Sequence, residues 1–109
     1  MIDGLVAGRL HSAPGERMDK AGRAFVVAKV LASASEGENL IVNVIAFDQE
    51  ICTALLALRD GDSIALAGSL TPRVWTDKQG NTRPSLDMVA NGFLTAHHAA
   101  QSRGALDGG

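Results

Sequence analysis

One hundred and nine residues, 46% apolar and 20% charged, make one folded domain, too hydrophobic for disorder and too short for two cores. A formal net charge of −2 excludes a strong whole-molecule pull on polyanions, so any such binding must come from local basic patches. The single Cys52 excludes an internal disulfide, and no apolar run approaches the roughly 18 residues of a membrane helix.

Ile2–Leu10 is predicted as the first strand, with Gly4 and Gly8 marking a bulge or a close backbone approach. His11-Ser-Ala-Pro-Gly-Glu16 breaks it. The turn signal Lys20-Ala-Gly22 leads into a second strand from Arg23 through Phe25 to Leu31, and Ser33–Asn39 reads as a loop. Leu40–Phe47, rich in β-branched residues, is a buried strand. The period then changes. Between Asp48 and Arg59, Ile51, Leu55 and Leu58 fall four and three apart, with Cys52 and Leu56 beside them, which is one stripe of an amphipathic helix. Asp48 suits the N-cap and Glu50 the first turn, while Arg59 falls in the last turn and Gly61 at the stop. Ser63–Leu70 alternates as a half-buried strand running into a hairpin, and Ser85–Ala90 with Phe93-Leu94 is the return arm. Residues 1–98 form the domain, and the small, polar residues 99–109 a flexible tail. Met1-Ile-Asp-Gly has neither the basic start nor the apolar stretch of a signal peptide, so a reducing cytoplasm is expected. Three strands, a helix and two strands give an all-β fold. The layout is the OB-fold, a five-stranded antiparallel Greek-key barrel with one helix between strands 3 and 4.

The hairpin Arg73-Val-Trp-Thr-Asp-Lys-Gln-Gly-Asn-Thr-Arg83 holds the chain's only tryptophan, Trp75, among Arg73, Lys78 and Arg83. A flat ring amid cations that neutralise phosphates is the chemistry a single-stranded nucleic acid needs. The plainer alternative is an indole pinning the hairpin base to the core while the cations solvate the tip. Charge is unevenly spread. Arg9–Lys29 carries five cations against two acids, Asp48–Asp62 four acids against Arg59 alone, and Arg73–Arg83 three cations against Asp77. In an OB-fold the connection of strands 1 and 2, the hairpin, and the face of strands 2 and 3 line the groove. The two basic segments could therefore meet there.

Other chemistries lack their residues. His97 and His98 are neighbours that point to opposite faces of a strand, and His11 stands apart, so no metal-ligand set is assembled. No nucleophile elbow, paired carboxylates or phosphate-cradling glycine loop is present, so neither an enzyme nor a cofactor is implied. Cys52 reads as a small buried hydrophobe.

The sequence resembles the bacterial single-stranded DNA-binding protein family over roughly residues 2–96. Val6-Ala-Gly-Arg-Leu10, Ala13-Pro14 with Glu16-Arg17, Phe25-Val-Val-Ala28, Val44-Ile-Ala-Phe47, Leu58-Arg-Asp-Gly-Asp62 and Ile64–Leu70 follow the family's order. The Arg73–Arg83 hairpin is the specific match. The resemblance implies binding of single-stranded DNA with little sequence preference, in replication, restart or repair. Bases would stack on Trp75 and Phe47, with Arg9, Lys20, Arg23, Lys29, Arg73, Lys78 and Arg83 on the phosphates. It also implies a homodimer or homotetramer, replication or primosome proteins as partners, no membrane, and a location in the bacterial cytoplasm at the nucleoid. Three departures stand out. Ile41 takes the place of a family tryptophan, the Ser33–Asn39 loop carries Glu36 and Glu38 where another aromatic belongs, and the acidic C-terminal tail is expected to be lacking. Each lost platform removes about 1–3 kcal/mol per base. A shortened relative of the primosomal replication protein N type fits these departures. The alternative is an OB-fold assembly module, making homo-oligomer and replication-protein contacts with weak DNA binding.

Overall fold

Val26, Ala28 and Val30 alternate with outward residues along one segment, and Val42, Val44 and Ala46 along another. That period of two buries one face of each strand against a common core. The computed structural model describes residues 2–33 and 39–95. They form β1 (Ile2–Leu10), β2 (Gly15–Met18), β3 (Ala24–Ser33), β4 (Asn39–Ala46), α1 (Gln49–Leu56), β5 (Ser63–Thr76) and β6 (Thr82–Thr95). The tail 99–109, His97, His98 and the Glu36 and Glu38 positions lie outside the described residues.

The sheet runs β1-β5-β6-β4-β3-β2, and β1 also pairs with β3 at Arg9 and Leu10, closing a ring of five strands. This is the expected OB-fold, with the helix entering between β4 and β5. Two details differ from the sequence reading. The β4–β6 ladder is parallel, Ile41 facing Ser85 and Ile45 facing Val89. Gly15–Met18, read as part of a connection, forms the short outer strand β2 on β3.

Leu10, Val26, Val30, Val42, Leu55, Leu66 and Met88 fill the ring, and Ile51 and Leu55 of α1 close its base. Asp48 is the N-cap, its Oδ1 accepting from the backbone N–H of Glu50 at 2.9 Å and Ile51 at 3.2 Å. The helix ends earlier than expected, at Leu56 with Ala57 as C-cap. Arg59 is thus outside the last turn, and its N–H is taken by the Asp62 carboxylate at 2.8 Å. Gly61, at φ +89°, serves the next turn instead, donating its N–H to the Leu10 carbonyl at 2.7 Å. Cys52 is half-buried and donates its Sγ–H to the Ala46 carbonyl.

The glycine signal in β1 marks a close approach. A Cβ on Gly8 would strike the Leu31 carbonyl where β1 and β3 close the ring. Gly68, beside a register shift between β5 and β6, is similarly pressed against the Val89 carbonyl.

Candidate nucleic-acid interface

Strand register fixes which side chains share the outer face of β3, β4, β6 and β5. Starting at one end, Phe25 of β3 lies beside Phe47, just past β4. The next row is Val27, Ile45, Val89 and Ser69, followed by Lys29, Asn43, Asp87 and Thr71. Leu31, Ile41, Ser85 and Arg73 come next, and Trp75 opposite Arg83 ends the face. At about 3.3 Å per residue the two aromatic ends stand roughly 26 Å apart.

Trp75 is 43% exposed and lines a shallow depression with Leu31, Ile41, Arg83 and Pro84. The indole therefore stands open on the surface and does not pin the hairpin to the core. Ile41 extends the apolar floor beneath it. Phe47 is 51% exposed and tilts against Phe25 with ring centroids 5.8 Å apart. Between these ends a groove of about 650 Å³ is walled by the β1–β2 connection. Among the described residues its charged lining is Arg17, Lys29 and Arg73 against Asp87, a local excess of cations that the net charge conceals.

Three of the four acids of the 48–62 segment hold backbone N–H groups. Besides the Asp48 cap and the Asp62 bond, Asp60 Oδ1 accepts from Ser12 N–H at 2.7 Å. That bond holds Ser12 at φ +68° and braces the groove wall.

The predicted cations divide. Lys29 and Arg73 enter the groove, and Arg83 borders the Trp75 depression. Lys20 and Lys78 sit on exposed turns at opposite ends of the face. Arg9 is one strand further round the ring, paired in register with Leu31 and Ser63. Three of the arginines are held by carboxylates: Arg73 Nε by Asp87 at 2.8 Å, Arg83 Nε by Asp77 at 3.2 Å, and Arg23 Nε by Asp19 at 3.1 Å. Sequence reasoning did not select Arg17, whose guanidinium lies over Gly15 on the groove wall. No sequence signal marks it, because its place on the groove wall depends on the pairing of Gly15–Met18 with Phe25 and Val27.

A repeated turn also went unnoticed. Asp19-Lys-Ala-Gly22 and Asp77-Lys-Gln-Gly80 share the pattern Asp-Lys-x-Gly, with glycine φ of +84° and +83°. In each, the aspartate accepts the N–H of the residue four ahead, Arg23 at 2.8 Å and Asn81 at 2.9 Å. The shared geometry projects a lysine from each end of the face.

The Asn81 N–H bond is the main reason the Asp77 carboxyl is held below its ordinary value of 3.8, with desolvation opposing it and Arg83 and the Gln79 N–H adding to it. Because the folded value is depressed, the tip gains stability above the ordinary value and loses it as pH falls through the lower folded one. The Gln79 and Asn81 amide resonances should therefore titrate together with a midpoint below 3.8.

A sequence model of the single-strand binding protein family matches residues 3–96. No curated relative matches the chain. Among solved structures, the chain is similar to a small single-stranded DNA-binding protein from Streptomyces coelicolor, with TM-score 0.69 and 22% identity, over 86% of this chain and 93% of that one. The mitochondrial single-stranded DNA-binding protein of S. cerevisiae gives 0.66 and 16%, over 87% and 94%. A Plasmodium falciparum relative, solved with single-stranded DNA, gives 0.62 and 14%, over 87% and 94%. At these identities the structures establish the shared fold.

Proposed function

The chain belongs to the single-strand binding protein family, and we propose that it binds single-stranded DNA along the outer face of β3, β4, β6 and β5. Bases stack on Trp75 at one end and on Phe47 with Phe25 at the other, and ride over Val27, Ile45, Val89 and Ile41 between them. Lys29, Lys20, Lys78 and Arg17 meet phosphates directly. Arg83 and Arg23 do so after exchanging their carboxylate partners for phosphate, Arg73 does so through its terminal N–H groups while its Nε keeps Asp87, and Arg9 extends the track around the ring. Stacking is tolerant of sequence because every base has a π-face. The observation that carries this reading is the open indole at the end of a groove whose lining holds three cations to one carboxylate. The cellular setting that fits is replication, restart or repair at the bacterial nucleoid, with replication or primosome proteins as partners. Among the described residues no helix is long and apolar enough to cross a membrane.

Adding oligothymidine should quench Trp75 fluorescence. With the four cations that meet phosphates directly, log affinity should fall against log salt with a slope of about −3, steepening towards about −6 as the four remaining arginines join, at about 0.7 per phosphate. No quench, together with salt-independent or absent binding, would refute the reading.

A second reading, self-assembly into a dimer or tetramer, draws on the far side of the ring. There Leu5 is 71% exposed, in register with Ala67 and beside Ala7 and Ala65. Together these side chains make a small apolar strip against which a second copy could pack. The two readings are compatible, since a second copy would lengthen the basic groove.

A further inference from the structure

Asp87 occupies the middle of the groove, where a track for a polyanion would not be expected to carry a negative charge. Its Oδ2 accepts from Arg73 Nε at 2.8 Å, and its Oδ1 from Asn43 Nδ2 at 3.4 Å. The side chain nonetheless remains 43% accessible. An ion pair this exposed contributes little to stability, so the carboxylate is not explained by folding.

Its position determines what part of a strand can lie over it. Phosphates are repelled from a carboxylate and keep to the rims. Bases lying flat on the apolar row of Val27, Ile45 and Val89, or on Ile41 across the groove, turn their edges toward Asp87. An ionised carboxylate only accepts hydrogen bonds, and each oxygen keeps a lone pair after its contact with Arg73 or Asn43. Cytosine brings an N4 amino group to such an edge, whereas uracil and thymine carry the O4 carbonyl there.

We infer that Asp87, held in place by Arg73 and Asn43, is a specificity-determining residue that favours cytosine over uracil and thymine in the bound strand. The inference rests on the proposed binding of single strands to this face and refines its tolerance of sequence. Oligodeoxycytidine and oligodeoxyuridine of equal length provide the test, since they differ in the edge and little in stacking area.

At neutral pH the native protein should bind the cytidine strand about fivefold more tightly, the low end of a single good base contact. Asp87→Asn, whose amide can turn either a donor or an acceptor to the base, should bring the ratio to about one while binding persists. Asp87→Ala, which removes the acceptor altogether, should do the same, with native circular dichroism confirming the fold of both variants. Equal affinity of the native protein for the two strands, or a bias retained in both variants, overturns the inference and leaves the proposed function standing. Failure to bind either strand at low salt instead removes the proposed function, and the inference with it.

Discussion

Trp75→Ala should lower affinity for oligothymidine by roughly one to two orders of magnitude, the loss of one stacked base at about 1–3 kcal/mol. The indole is half open and lies on a hairpin arm beyond the core, so thermal stability should change little. Because the substitution removes the chain's only tryptophan, binding is best followed by anisotropy of a labelled strand. Light scattering on the same samples should show an unchanged mass, because the Leu5 strip that the assembly reading draws on lies on the far side of the ring. An altered mass with affinity little affected would instead make the hairpin itself an assembly contact. Phe47 is partly supported by Phe25, and Ile41 offers no aromatic plane, so Trp75 should carry the largest share of any single side chain.

Gly68→Ala should destabilise the fold by about 3 kcal/mol, the upper part of the range for overpacking. The added Cβ would meet the Val89 carbonyl, with the Val89 carbonyl carbon at 2.9 Å and the Ala90 Cα at 3.0 Å. These are backbone atoms of a paired strand and cannot swing aside as a flexible side chain would. For a domain of this size the melting temperature should drop by roughly 15 °C. A melt within a few degrees of the native protein would show that the β5–β6 register shift absorbs the methyl group.

Features with a local cause could be read from the chain. Asp48 caps its helix through bonds to residues two and three ahead, and Leu40–Phe47 is a strand because of its β-branched content. Arg73, Lys78 and Arg83 flank Trp75 by spacing alone. Features set by distant pairing could not be read in this way. Gly61 resembled a helix stop, but its left-handed φ serves a turn whose N–H reaches Leu10, and α1 had already ended at Leu56. Gly15–Met18 is too short to show a period, and it becomes a strand only because Val27 and Phe25 offer an edge. Arg73 was legible as an exposed cation. Its partner Asp87 was not, because their meeting depends on the cross-strand register of β5 and β6.

The parallel ladder between β4 and β6 bears on how the molecule comes into being. It joins positions more than forty apart, such as Asn43 and Asp87, while β6 also fills the gap between β4 and β5. Closing so long a loop costs chain entropy before any contact rewards it, whereas the β5–β6 hairpin needs only its five-residue tip. During synthesis, β1, β3, β4 and α1 must therefore wait, with their apolar faces uncovered, until the ribosome has released Val89. The nascent polypeptide is most exposed to aggregation or chaperone capture in that interval, and completion of a single late strand ends it.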